Sequence, residues 1–434
     1  MEISHKICQG EIKASFLLGK ADVPIYPVDM ISVQDAISTL VAHRGERPIV
    51  MCALNQALGA TLSEDILAKV TLPPRNASAM DGYAVKLSDV RQSGSKLMVI
   101  GEAPAGSPFQ GTVDEGEAVR IFTGGAVPDG ADHIVIQENV QLHGDTLTTM
   151  TDNETARHIR KAGIDFSKGQ TLITAGTRLS PAHIALAAAA NHAELPIYKR
   201  PVVALIANGD ELKAPGNAAR DGDIISSNAA GLGALIQSWG GIAQDMGIAS
   251  DSLESITSLI KASHNADIIV PIGGASVGDY DYMRTAFKNM GLDLTFEKIS
   301  VRPGKPTWFG TLGHQRVLGL PGNPASATVC AHLFLKILMG HIDDIPTSKA
   351  VLTSPLSANG PRETYARGRV DISDTGTAQV TPFPRQDSSL MTPFAKANVL
   401  IQLPANSGPW DVGDILDVFN LGTTSFGTPK KITS

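Results

Sequence analysis

The 434-residue chain is 43% hydrophobic with a mean hydropathy near zero and a formal net charge of −7, a soluble globular composition too long for one ordinary core, so roughly two to four domains are expected. The acidic balance argues against broad nucleic-acid binding but does not exclude a small anion held by a local cluster of cations. Cys8, Cys52 and Cys330 show no CxxC spacing, the N-terminus has no signal-peptide pattern and no apolar run is long enough for a membrane span, so a cytoplasmic protein without disulfides, zinc finger or membrane contact is expected.

In chain order, the first 28 residues carry no readable pattern. Ser32 caps a predicted helix whose Val33, Ala36, Ile37, Leu40 and Val41 share one 3.6-period face. Pro73-Pro74-Arg75 breaks the chain ahead of a turn-rich segment through Tyr83. Short β-prone runs follow at 97–100, 118–122, 133–137 and 146–150, parted by Gly, Pro and Asp as in a small all-β domain. Ser180-Pro181 starts another helix, Ser as N-cap and Pro at the first helical position. From Pro201 the rhythm changes: strands at 202–207, 242–248, 268–272 and 294–299 alternate with helices at 228–239, 251–263, 281–290 and 323–338. Such alternation predicts a mostly parallel sheet with helices on both faces. Beyond about residue 346 the helical pattern stops, and short runs at 351–352, 368–372, 379–382, 399–403 and 415–419 predict a small C-terminal β domain.

Chemistry-bearing residues concentrate in 267–338, in three Gly/Pro loops that each follow an apolar strand. In open α/β sheets, ligands bind where the carboxyl ends of the strands deliver their loops. The first loop is Gly273-Gly274-Ala275-Ser276-Val277-Gly278-Asp279-Tyr280-Asp281. Gly273 and Gly278 have P-loop spacing, but Asp279 stands where the phosphate-binding Lys belongs. Gly231-Leu232-Gly233 lacks the third glycine of a dinucleotide fingerprint. Gly274-Ala275-Ser276-Val277-Gly278 fits the G-x-S-x-G elbow of a serine hydrolase, with His314 or His332 as base. No HGGG-type loop precedes it, and the competing reading makes Gly273, Gly274 and Ser276 the lining of an anion pocket.

Carboxylates follow three successive strands: Asp210 and Glu211, then Asp251, then Asp279 and Asp281. Hard oxygen ligands gathered on one edge suit Mg²⁺, which takes one or two carboxylates and keeps waters and ligand phosphates. For Asp251 an N-cap, worth about 1 kcal/mol, competes equally with a functional role. Lys298 and Arg302, four apart on a predicted strand, point to one side of it, and Lys305 follows across a Pro-Gly turn. Asn323-Pro324 opens a helix whose free N–H groups add an anion site. Together these features describe a site for a phosphate-containing ligand.

The same residues carry a family resemblance. Asn76-Ala77-Ser78-Ala79-Met80-Asp81-Gly82-Tyr83, Arg120-Ile121-Phe122-Thr123-Gly124-Gly125-Ala126-Val127-Pro128, Ile159-Arg160-Lys161-Ala162-Gly163-Ile164-Asp165, Asn208-Gly209-Asp210-Glu211-Leu212 and the three loops occur in order. From about residue 30 onward the chain resembles the molybdopterin molybdenumtransferases, molybdenum-insertion enzymes related to the C-terminal domain of gephyrin. The resemblance implies a multidomain α/β plus β fold. A split N-terminal α+β domain (1–73 and 155–198) would carry an inserted small β domain (74–154). A mostly parallel α/β molybdopterin-binding domain (199–346) and a C-terminal β-barrel (347–434) would follow. It further implies a homodimer with a cleft built from both subunits, and transient contact with a molybdopterin adenylyltransferase. The implied reaction is insertion of molybdate into adenylylated molybdopterin, with Mg²⁺-dependent release of AMP. The implied functional positions are Asp81, Thr123, Arg160, Asp165, Glu211, Asp251, Asp281, Lys298 and Arg302.

Three residues depart from the family pattern: Ile164 where some relatives carry Glu, Arg302 where some carry Lys, and Asn208 in place of a hydroxyl residue. Arg302 keeps the charge and offers a bidentate fork to an oxyanion. A non-catalytic scaffold of the same fold has no need of Glu211, Asp281, Lys298 and Arg302 together, so the enzyme reading is favoured.

Overall fold

The computed structural model describes residues 30–217, 220–274, 282–340 and 347–422. They fall into two compact units, residues 47–200 and residues 30–46 with 201–422.

The unit of residues 47–200 is built around a six-stranded sheet. Its order is His133–Ile136, Gly82–Val85, Glu117–Ile121, Lys96–Ala103, Thr146–Thr149, Val140–His143. The alternating burial along Lys96–Ala103 marks a strand with one covered face. Before and after this sheet the chain pairs with itself: Ile49–Ala53 with Glu194–Tyr198, Ile66–Leu67 with Thr171–Ile173, and Ala77–Ser78 with Ile159–Arg160. The β sheet is thus inserted between two segments that fold onto each other. Helix Pro181–Ala189 begins as its sequence dictates, with the Ser180 hydroxyl accepting from the His183 N–H and Pro181 in the first turn.

The second unit holds a six-stranded mixed sheet in the order Ile242–Ala249, Val202–Asn208, Ile268–Ile272, Gln315–Gly319, Trp308–Leu312, Asp293–Phe296. The first four strands are parallel and the last two add on antiparallel. The antiparallel end comes from a hairpin closed at Gly313-His314, a two-residue turn that the helix-strand rhythm did not predict. Helices Asn228–Ser238, Leu253–Ala262 and Tyr282–Asn289 lie close to their predicted positions. The apolar run after Pro324 is helical from Pro324–Cys330 through Lys336–Leu338, with a π-helical stretch at Ala331–Leu335.

One predicted strand needs correction. The strand expected at 294–299 ends at Phe296, and Val301–Arg302 is a separate two-residue strand paired with Glu363 and Thr364. Between them the backbone leaves the sheet to pair with Ile31, whose N–H donates to Lys298 O and whose carbonyl accepts from the Ser300 N–H. Lys298 and Arg302 therefore do not share one strand face. A partner from the far end of the chain decides this, and the local pattern carries no trace of it.

Helix Val33–Ala42, capped by the Ser32 hydroxyl, packs with this same α/β core: Val33, Ala36 and Leu40 are buried with Ile299, Phe309 and Leu338. Full burial of a Leu or Val is worth about 1.5–3 kcal/mol. The chain ahead of residue 47 is thereby tied to the unit that begins at residue 201.

Thr347–Leu352, Glu363–Ile372, Ala378–Pro382, Val399–Leu403 and Ile415–Asn420 form a closed five-stranded barrel, since Glu363–Ile372 pairs with both Ala378–Pro382 and Val399–Leu403. Closure leaves no free sheet edge, and Leu352, Val370, Val380, Ile401 and Val418 fill its interior. Among the described residues no helix is long and apolar enough to cross a membrane.

Candidate active site

The parallel strands Val202–Asn208, Ile268–Ile272 and Gln315–Gly319 end on one edge of the sheet, and their loops enclose a cleft of about 630 Å³. Asn208, Glu211, Gly273, Gly274, Gly322 and Asn323 line it from the strand ends. Gly273 sits at φ +90°, and a Cβ there would stand 3.2 Å from Asn208 O and 3.9 Å from Gly322 Cα. The left-handed φ favours glycine, and the missing side chain leaves the cleft floor open to close approach by a ligand. Leu212, Ile224, Ile225 and Pro306 form apolar walls, and Ser389 comes from the polypeptide beyond the barrel strand Ala378–Pro382.

Acidic residues gather at one end. A second cavity of about 400 Å³ is lined by Asn208, Gly209, Glu211, Asp251, Gly274 and Tyr282. The Glu211 carboxylate folds back over Gly209, 2.6 Å from where a Cβ would lie, and has no ion-pair partner among the described residues. Asp251 does not cap its helix: Ser252 does, accepting from the Ser255 N–H at 3.2 Å. Instead Asp251 accepts from Asn208 Nδ2 at 2.7 Å, and its own N–H donates to Asp210 Oδ1 at 3.1 Å. The competing cap reading of Asp251 is thereby corrected, because a hydroxyl one residue later is better placed for the free N–H groups. No group of three or more His, Cys, Asp or Glu side chains among the described residues is arranged to hold a metal ion. Ser276, Asp279 and Asp281 lie outside the described residues.

Lys298 is half-buried, Arg302 and Lys305 are exposed, and none has an ion-pair partner among the described residues. The turn that carries the latter two is fixed from below, the Thr307 hydroxyl donating to Gly304 O at 2.8 Å. Its Pro306 reaches the cleft wall. The start of the following helix offers fewer donors than the sequence predicts. Pro324 has no N–H, the Ala325 N–H already donates to Ser388 O, and Asn323 Nδ2 donates to Ser388 Oγ at 3.0 Å. Asn323 still lines the cleft, but the helix terminus is partly satisfied by the C-terminal region.

In the unit of residues 47–200, Asp81 and Thr123 meet although 42 residues separate them. Asp81 Oδ1 accepts from the Thr123 N–H and from its hydroxyl, each at 2.7 Å. The backbone N–H first and the hydroxyl second hold the Asp81 carboxyl below the usual carboxylate range. Arg160 stands opposite Ala77 in the short β pair just before Asp81, and the following turn is anchored by the Ala162 N–H on Asn76 Oδ1 at 3.0 Å. Arg160 and Asp165 are both exposed. Segments 123–127 and 157–162 thus both bond to segment 76–82, which carries Asp81.

Neither histidine proposed as base for a serine nucleophile is suited to it. His332 is packed between Trp239 and Phe394, at ring separations of 5.2 and 6.4 Å, and burial pushes its pKa down to about 3. His314 turns the hairpin at the amino end of Gln315–Gly319, the sheet edge opposite Gly273. Lining residues that the sequence reading missed are Asn228, whose Nδ2 donates to Gly322 O at 2.7 Å, and Ser389. The Ser227-Asn228 start of a predicted helix was a usable signal for the first. For Ser389 there was none, since it reaches the site from far along the chain, beyond the strand Ala378–Pro382.

The chain is similar to known proteins along most of its length. Residues 31–191 match the MoeA N-terminal region (domain I and II), 204–341 a probable molybdopterin binding domain, and 349–421 the MoeA C-terminal region (domain IV). A Haemophilus influenzae protein named molybdopterin molybdenumtransferase is 32% identical over 84% of this chain and 92% of its own length. A Bacillus subtilis protein of the same name is 31% identical over 89% of this chain and 93% of its own. The crystal structure of a molybdopterin biosynthesis protein from Pyrococcus horikoshii superimposes with a TM-score of 0.74 at 27% identity, covering 90% of this chain and 99% of that one. Matched region by region from residue 31 to 421 and to full-length relatives, the chain belongs to the molybdopterin molybdenumtransferases, transferases of molybdenum cofactor biosynthesis.

Proposed function

We propose that the protein inserts molybdate into adenylylated molybdopterin and releases AMP in a Mg²⁺-dependent reaction. The observation that carries this reading is the cleft itself, where a glycine floor, apolar walls and an acidic end meet at the carboxyl edge of the parallel strands. A pterin-nucleotide has matching parts: a planar heterocycle for the walls, and phosphates for the bare backbone of Gly273 and Gly274.

Mg²⁺ takes one or two carboxylates and completes its shell with water and phosphate oxygens. Glu211 fits that demand, as a hard oxygen donor on the cleft without an ion-pair partner among the described residues. Glu211 and Asp281 would hold the ion, which supplies charge neutralisation at a phosphoanhydride. Lys298, Arg302 and Lys305 bind oxyanions, either the phosphates or molybdate, at about 1.5–3 kcal/mol per charge-assisted hydrogen bond. Asp251 offers an acceptor oxygen to donors of the ligand. Asp81, kept ionised by Thr123, serves the reaction together with Arg160 and Asp165.

The same reading makes the protein a cytoplasmic homodimer in which each cleft draws on both subunits. It has the four-domain layout implied by the resemblance, and contacts the molybdopterin adenylyltransferase transiently as it receives substrate. The test is incubation of purified protein with adenylylated molybdopterin, molybdate and Mg²⁺. AMP release that requires molybdate and the metal is expected; no release under those conditions overturns the reaction.

A further inference from the structure

We infer that Asn208 is a positioning residue for Asp251, holding its carboxylate at the cleft through one hydrogen bond. Asn208 ends the strand Val202–Asn208 and lines both cavities. Its Nδ2 donates to Asp251 Oδ1 at 2.7 Å. A carboxylate at neutral pH only accepts, so this bond fixes which end of the amide faces Asp251. Oδ1 must then face away, and it is buried there with no hydrogen-bond partner among the described residues.

A buried acceptor without a partner destabilises a fold. The carboxamide therefore stabilises nothing through its oxygen, and its use lies in its donor half. The recipient of that donor is an exposed carboxylate that caps no helix. Asp251 is gripped from a second side by Asp210, whose Oδ1 accepts the Asp251 N–H at 3.1 Å while its own N–H faces Asp251 Oδ2 at 3.5 Å. The Asn208 bond sets the carboxylate's direction, the Asp210 side chain anchors the Asp251 backbone, and neither neutralises the charge. A hydroxyl residue in place of Asn208 puts its donor one bond from Cβ rather than two, short of Asp251. The carboxamide is thus this chain's own means of reaching that carboxylate.

The inference rests on the reading that Asp251 serves the reaction, and the experiment separates the two. AMP release is measured for wild type, Asn208→Ala, Asn208→Ser, Asp251→Asn and the Asn208→Ala/Asp251→Asn double variant, with melting temperatures for all. Asn208→Ala is expected to lower kcat about tenfold, with KM within about twofold, because orientation is lost rather than binding. Its melting temperature is expected to hold or rise, since the orphaned acceptor is removed. In the Asp251→Asn background the same change is expected to add nothing. Wild-type turnover in Asn208→Ala, or an additive loss in the double variant, overturns the positioning role while leaving Asp251 in place. Wild-type turnover in Asp251→Asn overturns the underlying reading as well. A fall in melting temperature shared by Asn208→Ala and Asn208→Ser assigns Asn208 a structural role instead.

Discussion

At the scale of single residues, Asp81 illustrates how two short hydrogen bonds set the charge of an exposed carboxylate. Its pKa is lowered by donors on Thr123 rather than by burial. In Thr123→Val the backbone donor stays and the hydroxyl goes, so the Asp81 titration midpoint is expected to move up toward the ordinary value of about 3.9. Carbon-detected NMR titration of the Asp side chains checks this. The sign follows from linkage: a depressed carboxylate pKa favours the folded state above the ordinary value, and that contribution fades as pH falls through the native one. The variant is therefore expected to lose it at higher pH than wild type. Arg302 belongs to the same scale. Exposed and without an ion-pair partner among the described residues, it has its charge free for a ligand. Arg302→Ala is expected to weaken molybdate or substrate binding roughly ten- to a hundredfold. Asp281→Ala is expected to bind nearly normally and to release AMP about a hundredfold more slowly or worse. Calorimetry beside the AMP assay distinguishes the two variants.

Elements add constraints that no single residue carries. His133 opens the strand His133–Ile136, and its ring joins that strand to the chain returning from the β sheet. Nδ1 accepts from the Arg157 N–H at 3.0 Å, and Nε2 meets Asn153 Oδ1 at 3.1 Å. These partners define a neutral ring, and burial lowers its pKa. The unfolded chain thus takes up a proton that the native ring resists, so stability is expected to be full above about pH 6.5 and to fall as pH drops below it. Urea unfolding between about pH 7.5 and 5 is expected to show a weaker fall in His133→Gln than in wild type. The turn at Gly304 makes a steric case. Its φ is +124°, and a Cβ there would collide with Cys330 Sγ in the helix beneath. Gly304→Ala is expected to cost about 2–4 kcal/mol by overpacking and backbone strain, read as a shift in the urea midpoint. Where an element's boundaries were readable, side chains near in sequence decided them, as with the Ser32 and Ser180 caps. Where they were not, the deciding partner was distant, as with Ile31 drawing residues 298–300 out of the sheet.

For the whole molecule, the proposed dimer supplies the sharpest test. If each cleft draws on both subunits, Asp81→Ala and Asp281→Ala chains are each expected to be inactive alone. Mixed with subunit exchange, they are expected to recover activity through one intact cleft per heterodimer. Fluorescence or mass tags verify the exchange, and light scattering is expected to give about twice the 45.6 kDa chain mass. No recovery after verified exchange places both carboxylates in the same subunit's cleft.

The sequence by itself determined the strand-helix rhythm from residue 201, the β texture on either side of it and the carboxyl-edge loops, because burial periodicity, capping and Gly/Pro turns act over a few residues. It also marked Asp210, Glu211 and Asp251 as residues that the fold would bring to one edge, since each follows a strand. Only the tertiary structure decided which groups touch. It put Thr123 on Asp81, Asn208 on Asp251 and Ser388 on Asn323. It also placed helix Val33–Ala42 against the α/β core and closed the barrel through two partners of one strand. Each of these contacts joins residues more than forty positions apart or depends on ring closure of a sheet. Local propensity is blind to such pairings, which are selected by the burial of whole faces and the satisfaction of polar groups at the end of folding.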